Sequence, residues 1–361
     1  MAILASEDLL PRRLASQRVL GQPFDTPEDV VSWLGAVQAQ DFAGAKWALA
    51  QRTARATDAD VEDAFARGAI LRTHVMRPTW HFVMPADIRW LLTLTSPRVN
   101  ALSATYHRKL ALDEPLFRRS RSLLEKTLRD GRQLTRAELA SVFRKAGIAS
   151  AEDPLRMGFL MMRAELDGVI CSGPRRGKQF TYALLEERVP PARPLAREEA
   201  LAELVRRYFV SHGPATVKDF AWWSGLTMAD GAKGLALVES SLASQAIDGR
   251  TYWAAPGARP RGSTADMAHL LPAYDEALLS YRDNRVSLAP YGPQLTRDNG
   301  QTIVINGRAA GTWKRTIAKG AAVIDAFPFA PLKRREKAAL AAAAERYGRF
   351  LNGPAVSVRY P

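Results

Sequence analysis

The sequence predicts an α+β fold of three tandem winged-helix units with a helical scaffold, followed by a C-terminal mixed β-sheet and helix. Two observations lead to this prediction. A helix–turn–helix pattern followed by a short hairpin occurs three times, and the last third of the chain replaces it with strand signals and one alanine-rich helix. The predicted unit boundaries are residues 1–112, 113–192, 193–262 and 263–361.

The first unit shows the pattern most loosely. Asp41 is placed to cap its second helix, since aspartate favours the position before the first helical residue. The predicted helices cover residues 27–37, 43–54 and 58–68, and the predicted strands cover residues 70–75 and 79–83.

The second unit is the clearest. Thr135 with Glu138 three residues later has capping-box spacing, so a helix is expected to begin there. A turn at Gly147 leads to a second helix over residues 154–167. Predicted strands at residues 168–171 and 180–184 are joined by a basic loop, residues 172–178, which completes a winged helix.

The third unit repeats this order, and the C-terminal region departs from it. Predicted helices at residues 196–211, 216–224 and 228–241 precede a tight hairpin at residues 247–254. Beyond them, an apolar stretch at residues 269–280 contains Asp275 and Glu276. Asn306-Gly307 predicts a hairpin turn, residues 321–329 a strand and residues 332–350 a helix.

Composition is that of a globular protein with a polyanionic partner. The 361 residues are 47% hydrophobic and 24% charged, with a net charge of +14 and a pI near 10.1. Nucleic acid is the commonest such partner, although most of the basic residues are arginine, which a GC-rich genome also favours. Neither a signal peptide nor a membrane span is evident, so the predicted location is the cytoplasm. The single cysteine, Cys171, excludes an internal disulfide and a multi-cysteine metal site, and its predicted role is a buried structural thiol.

Two amides, Gln38 and Gln40, stand one residue apart at the junction between two predicted helices. In a helix this spacing would make their side chains diverge, whereas in extended backbone both lie on one face. Polar residues at a helix end are common, so the spacing alone leaves an unspecialised junction open.

The context of these glutamines resembles a known enzyme family. The motif Gln-Ala-Gln-Asp at residues 38–41 is followed by Ala-Lys-Trp-Ala at residues 45–48, by Thr73-His74 and by residues 77–81. This series resembles the bacterial winged-helix DNA glycosylases that unhook interstrand crosslinks and other bulky N7-alkylpurines, of the azinomycin-resistance type. Segments around residues 271–276 (Leu-Pro-Ala-Tyr-Asp-Glu), 281–283, 306–308 and 311–315 resemble the same family, so the likeness spans nearly the whole chain.

The resemblance implies that Gln38 and Gln40 are catalytic, in a monofunctional glycosylase that needs no metal or other cofactor. A carboxamide has no useful pKa, but it holds a water and stabilises developing charge. An N7-alkylated purine is cationic and leaves as a neutral base without an acid. The enzyme then has to place a water beside an oxocarbenium-like sugar.

Further residues are candidates for contact with DNA, each with a structural alternative. Lys46 is interpreted as a phosphate-facing charge in preference to a lyase nucleophile. The histidines near Arg77 are also interpretable as core residues, the basic loop as a solvated turn, and Trp313 as a core tryptophan. The full set is Lys46, His74, Arg77, His81, Arg175, Arg176, Lys178, Trp313, Lys314 and Arg315.

The predicted partner is double-stranded DNA carrying alkylpurine adducts or crosslinks, and the protein is expected to be a monomer without membrane association. The resemblance also implies a role in self-resistance to a DNA-alkylating natural product. The alternative is a non-enzymatic winged-helix regulator, because most tandem winged helices serve transcription. Against it, the chain is long for a compact repressor and lacks a symmetric dimer signature.

Overall fold

A computed structural model describes residues 8–148, 153–257, 265–282, 288, 300–318, 321–353 and 356–361. The chain divides into two compact units, whose boundaries differ from those of the four predicted units; the names first unit and second unit refer below to these two. The first unit comprises residues 1–62, 202–223 and 227–361, and the second comprises residues 63–201 and 224–226.

The described residues form helices and strands in a mixed α/β order. The helices are α1 (Leu9–Ser16), α2 (Pro27–Leu34), α3 (Phe42–Ala50), α4 (Asp58–Ala66), α5 (Pro85–Lys109), α6 (Glu114–Leu128), α7 (Arg136–Lys145), α8 (Pro154–Leu166), α9 (Leu185–Arg188), α10 (Arg197–His212), α11 (Val217–Ser224), α12 (Met228–Val238), α13 (Glu276–Leu279) and α14 (Arg334–Phe350). The strands are β1 (Val37–Gln38), β2 (Leu71–His74), β3 (Trp80–Val83), β4 (Leu134–Thr135), β5 (Ile170–Ser172), β6 (Thr181–Leu184), β7 (Ala243–Ile247), β8 (Arg250–Ala254), β9 (Ala268–Leu271), β10 (Thr302–Ile305), β11 (Arg308–Ala318), β12 (Ala321–Pro328) and β13 (Ser357–Arg359).

Side-chain caps fix the starts of several helices. Thr26, Thr135 and Thr227 each form a complete capping box with an acidic residue three positions on, at α2, α7 and α12. Asp41 accepts a hydrogen bond from the Gly44 N–H and caps α3, as predicted. These local bonds satisfy backbone donors that a helix cannot pair internally.

The C-terminal part of the first unit is a five-stranded mixed sheet in the order β13-β12-β11-β10-β9. Only the β12–β13 pair is parallel. Helix α14 packs its apolar side, including Leu340 and Tyr347, into the same core as Ile324 and Trp313. The predicted C-terminal mixed sheet with a helix is thereby confirmed, including the turn at Asn306-Gly307, where both residues have positive φ.

The second unit contains the helix–turn–helix and hairpin that the sequence predicts most clearly. Helices α7 and α8 are followed by β5 and β6, and β4 joins them in a three-stranded antiparallel sheet of order β4-β6-β5. Phe143 and Leu160 lie in the core beneath this sheet. Cys171 is fully buried in β5, which agrees with a structural thiol, and burial raises its pKa to about 12.

The largest difference from the sequence prediction is α5, a 25-residue helix that the sequence pattern does not predict. Pro97 lies inside it, and an internal proline is normally a signal for a helix end because it lacks an N–H donor. Burial of one side of α5, including Leu91 and Val99, stabilises the helix through that position. No helix among the described residues is long and apolar enough to cross a membrane.

Candidate active site and DNA-contacting residues

The Gln-Ala-Gln motif lies in a non-helical segment between α2 and α3 of the first unit. Gly35 ends α2 with a positive φ of 79°, a conformation that glycine adopts without steric cost. Strand β1 then carries Gln38, and Asp41 begins α3. Strand β1 ends at Gln38 and Gln40 lies in the bend that follows it, so the junction is not helical, and the two glutamines differ in exposure: Gln38 is only 7% exposed, while Gln40 is exposed.

Gln38 is anchored through its backbone rather than its side chain. Its N–H donates to the Glu276 Oε1 at 2.7 Å. Its amide oxygen Oε1 is buried and has no hydrogen-bond partner among the described residues. A buried carbonyl oxygen without a partner is energetically unfavourable, and an ordered water or a substrate group would satisfy it.

Glu276 is a fully buried carboxylate at the start of α13. Its Oε2 accepts hydrogen bonds from Trp223 Nε1 at 3.0 Å and from the Ser280 hydroxyl, and His212 Nε2 lies 3.7 Å from the same oxygen. Burial opposes ionisation of Glu276, but its hydrogen bonds and the neighbouring His212 outweigh this and lower its pKa to about 2. Glu276 is therefore a charged acceptor at neutral pH.

The residue before it, Asp275, holds a second buried charge in place. Its two oxygens accept from Arg52 at 2.7 and 3.0 Å, and both side chains are essentially inaccessible. Arg52 also donates to the side-chain and backbone oxygens of Gln17. This bidentate pair ties the segment that follows α3 to the segment that carries Glu276.

His212 is the imidazole that lies beside Glu276, with its Nε2 3.7 Å from Glu276 Oε2. Burial lowers the pKa of His212. Within the described ranges, no group of three or more histidine, cysteine or carboxylate side chains is arranged to hold a metal ion. The two carboxamides of the motif can hold a water through hydrogen bonds.

Lys46 does not face a phosphate site in this structure. It is 4% exposed, and its Nζ lies 2.8 Å from both Asp58 Oδ2 and Glu62 Oε2. The interpretation of Lys46 as a phosphate-facing charge is corrected accordingly, because two carboxylates already occupy its ammonium group. The same two carboxylates hold the amine that a lyase mechanism would use as its nucleophile.

The β2–β3 hairpin in the second unit carries the predicted His74, Arg77 and His81. Both histidines are buried: His74 Nδ1 makes a short hydrogen bond to Glu165, and His81 Nδ1 lies 2.9 Å from the Thr79 carbonyl oxygen. Their contacts favour the core alternative over direct contact with DNA. Arg77 is half-buried in the turn between the strands.

The basic loop, residues 172–178 in the sequence prediction, connects β5 to β6 and carries exposed charge. Lys178 is exposed and Arg175 is half-buried. Arg176 is also exposed, but its guanidinium pairs with Glu138 and donates to the Gln133 carbonyl oxygen. The hydrogen bond from Arg176 is the largest of the contributions that lower the pKa of Glu138 to about 2.

The last three predicted DNA-contacting residues, Trp313 to Arg315, lie in β11 and differ in exposure. Trp313 is a core residue, 2% exposed, whose Nε1 donates to the Leu271 carbonyl oxygen at 2.8 Å. Its predicted stacking on nucleic acid is corrected, because the ring is enclosed by the sheet and α14. Lys314 and Arg315 are exposed, and Arg315 makes a short hydrogen bond to the Tyr347 hydroxyl.

Sequence reasoning did not identify Glu276 or Trp223 as part of the site. Glu276 lies in the Leu-Pro-Ala-Tyr-Asp-Glu segment, whose family resemblance gives the residue no particular role. Trp223 has no such signal, because a tryptophan on an apolar helix is most simply a core residue.

Comparison with known proteins identifies similar chains. A family model described as DNA glycosylase AlkZ-like matches residues 31–350. The chain is 28% identical over 346 residues to a Streptomyces sahachiroi protein named interstrand DNA cross-link repair glycosylase. The alignment covers 90% of this chain and 92% of that protein. The solved structure of Streptomyces sahachiroi DNA glycosylase AlkZ matches with a TM-score of 0.81 and 22% identity over 100% of both chains. That match supports the mixed α/β fold.

Proposed function

Because this chain belongs to the AlkZ-like DNA glycosylases, we propose that it excises bulky or crosslinked N7-alkylated purines from duplex DNA. A DNA glycosylase hydrolyses the bond between a base and its sugar. The name of the curated relative, a cross-link repair glycosylase, supports the proposed substrate class. The observation that carries the chemistry is the buried Gln38 amide oxygen, which has no partner among the described residues.

Gln38 and Gln40 have different tasks in this proposal. The Gln38 Oε1 accepts a hydrogen bond from the attacking water, whose position is fixed because the Gln38 backbone is held by Glu276. The exposed Gln40 faces the substrate and stabilises the positive charge that develops on the sugar. Since the departing base is already cationic, no general acid is needed.

The reaction is proposed to end at an abasic site, because the motif supplies amides instead of an amine that could attack the sugar. Lys46 is the lysine nearest to them in sequence, and it is held by Asp58 and Glu62. The enzyme is therefore proposed to be monofunctional and to need no cofactor.

Contact with DNA is assigned to the predicted basic side chains that are exposed or half-buried. The set consists of Arg77, Arg175, Arg176, Lys178, Lys314 and Arg315. Charge of this kind binds phosphates without reading sequence. The buried candidates Lys46, His74, His81 and Trp313 support the fold instead.

The three helix–turn–helix and hairpin repeats are proposed to be winged-helix units, with boundaries at residues 1–112, 113–192 and 193–262 and the C-terminal region at residues 263–361. The order α7, α8, β5 and β6 in the second repeat supports this proposal. The protein is further proposed to act as a cytoplasmic monomer that protects its host from a DNA-alkylating natural product.

Release of base from defined duplexes tests the proposal. One duplex carries N7-methylguanine, a second carries a bulky N7-guanine adduct, and a third carries an N7–N7 interstrand crosslink. We expect free modified base and alkali-labile abasic sites from the bulky adduct and the crosslink. Release of 7-methylguanine alone would contradict the bulky substrate class, and tight binding to one undamaged sequence without release would favour the regulator.

A further inference from the structure

The Asp275-Glu276 pair belongs to a sequence motif that catalysis by the two glutamines does not explain. Both carboxylates are buried, which is costly unless each has a specific set of partners. Asp275 pairs with Arg52, and Glu276 accepts the Gln38 N–H. The second contact joins this motif directly to the Gln-Ala-Gln strand.

The backbone before these residues adopts an unfavourable conformation that turns them inward. Tyr274 has a φ of +64°, a left-handed conformation that is energetically unfavourable for a residue with a side chain. The turn it forms ends β9 and starts α13, where the Asp275 side chain accepts from the Ala277 N–H. The conformation therefore places two successive carboxylates in the interior of the first unit.

Each oxygen of Glu276 has a separate role. Oε1 accepts the Gln38 N–H at 2.7 Å, while Oε2 is held by Trp223 and Ser280. The donors on Oε2 come from α11 and from the residue that follows α13. The Glu276 carboxylate thus connects the Gln38 N–H in β1 to donors on two helical segments, which restrains the position of the Gln38 peptide group.

We propose that Glu276 is a positioning residue for excision: it fixes the Gln38 peptide, and so the place where the Gln38 amide oxygen holds the attacking water. This inference rests on the proposed function of Gln38. A displacement of well under 1 Å at a positioned group is enough to slow a reaction that depends on alignment.

A double-mutant cycle tests this role in the full-length protein on an N7-methylguanine or bulky-adduct duplex. We expect Glu276→Gln to lower the single-turnover excision rate about 10- to 100-fold, with affinity for the duplex changed less than about twofold. If Glu276 acts through Gln38, the same substitution in a Gln38→Ala background will cause almost no further loss. Equal losses in both backgrounds would overturn the proposal.

Asp275→Asn is the matched control, because it removes a buried carboxylate of the same motif that pairs with Arg52 instead of Gln38. We expect it to reduce thermal stability and to lower excision only as far as the folded fraction falls. A loss of excision as large as that of Glu276→Gln at an equal folded fraction would reduce Glu276 to a structural role.

Two measurements keep the test decisive if Glu276→Gln does not fold. Ser280→Ala removes one donor to Oε2 but keeps the carboxylate, and we expect a loss of about two- to fivefold that is absent in the Gln38→Ala background. In the wild-type protein, hydrogen exchange of the Gln38 backbone N–H, which donates to Glu276, is expected to be slow. Fast exchange would contradict the anchor. If Gln38→Ala itself excises at the wild-type rate, the catalytic assignment fails first and independently of Glu276.

Discussion

Two regions of the molecule handle polar side chains in opposite ways. Around Gln38 in the first unit, Glu276, Asp275 and Arg52 are buried, and their ion pairs and hydrogen bonds are short and specific. In the basic loop of the second unit, Lys178 and Arg176 are exposed, and Arg176 pairs with the surface residue Glu138.

This difference separates positioning from affinity. Buried charges hold geometry because moving them away from their partners exposes an uncompensated charge to a low-dielectric interior. Exposed charges are weakly held and screened by salt, so they attract phosphates without fixing a reacting atom. We therefore expect substitutions near Gln38 to affect excision and those in the basic loop to affect binding.

The largest expected effect is that of Gln38→Ala. If the Gln38 amide holds the attacking water as proposed, its loss should lower the single-turnover excision rate by about 10²- to 10³-fold, the usual effect of removing one positioned hydrogen-bonding group. Affinity for the duplex should stay nearly unchanged. Gln40→Ala is expected to act in the same direction, whereas the exposed Gln22→Ala serves as a matched control. Wild-type rates in both Gln38→Ala and Gln40→Ala would disprove the assignment.

The second prediction concerns stability and pH in the buried region. Burial, followed by the charges of Arg346 and Arg52, lowers the pKa of His269 to about 3 from an ordinary value of 6.5. The unfolded chain therefore binds the proton first, so this contribution to stability is complete above pH 6.5 and is lost as the pH falls toward 3.

The loss through His269 should be roughly 2 kcal/mol in the free energy of unfolding between about pH 7 and pH 5. Urea unfolding at both values measures it, and His269→Gln is expected to show a smaller decrease over the same interval. An identical decrease in the two proteins would show that His269 does not titrate on unfolding.

The third prediction concerns the basic loop. The double substitution Arg175→Ala and Lys178→Ala should weaken binding to undamaged duplex by about 10-fold and reduce the slope of log affinity against log salt by about 2, if each side chain neutralises one phosphate. Single-turnover excision at saturating enzyme should stay close to wild type. Arg176→Ala offers a comparison, since Arg176 is paired with Glu138. An unchanged salt slope would remove this loop from the DNA contact.

The smallest expected effect is that of Lys46→Met. Because its two carboxylate partners are partly exposed, loss of the ion pairs should reduce the free energy of unfolding by roughly 1 kcal/mol. Borohydride reduction during the wild-type reaction should trap no covalent enzyme–DNA adduct. A trapped species that disappears in Lys46→Met would make the enzyme a lyase and place Lys46 in the active site.

Local features could be predicted from the sequence because their causes lie within a few residues. Thr135 and Glu138 predict the start of α7. Asn306-Gly307 predicts the turn between β10 and β11, and Asp41 predicts the start of α3. Helix α5 is different: Pro97 is a local signal for a helix end, and burial along the helix, which no local signal shows, overrides it.

The sequence by itself determined the pair of glutamines that we propose to be catalytic, because two amides one residue apart at a helix junction are a local pattern. Only the tertiary structure decided how each one is used. Glu276 meets Gln38 across 238 positions of sequence, and Trp313 and Lys46 are removed from solvent by segments far along the chain or by a neighbouring helix. Burial and long-range hydrogen bonds arise when distant segments pack, so no local pattern predicts which basic or aromatic side chain stays at the surface.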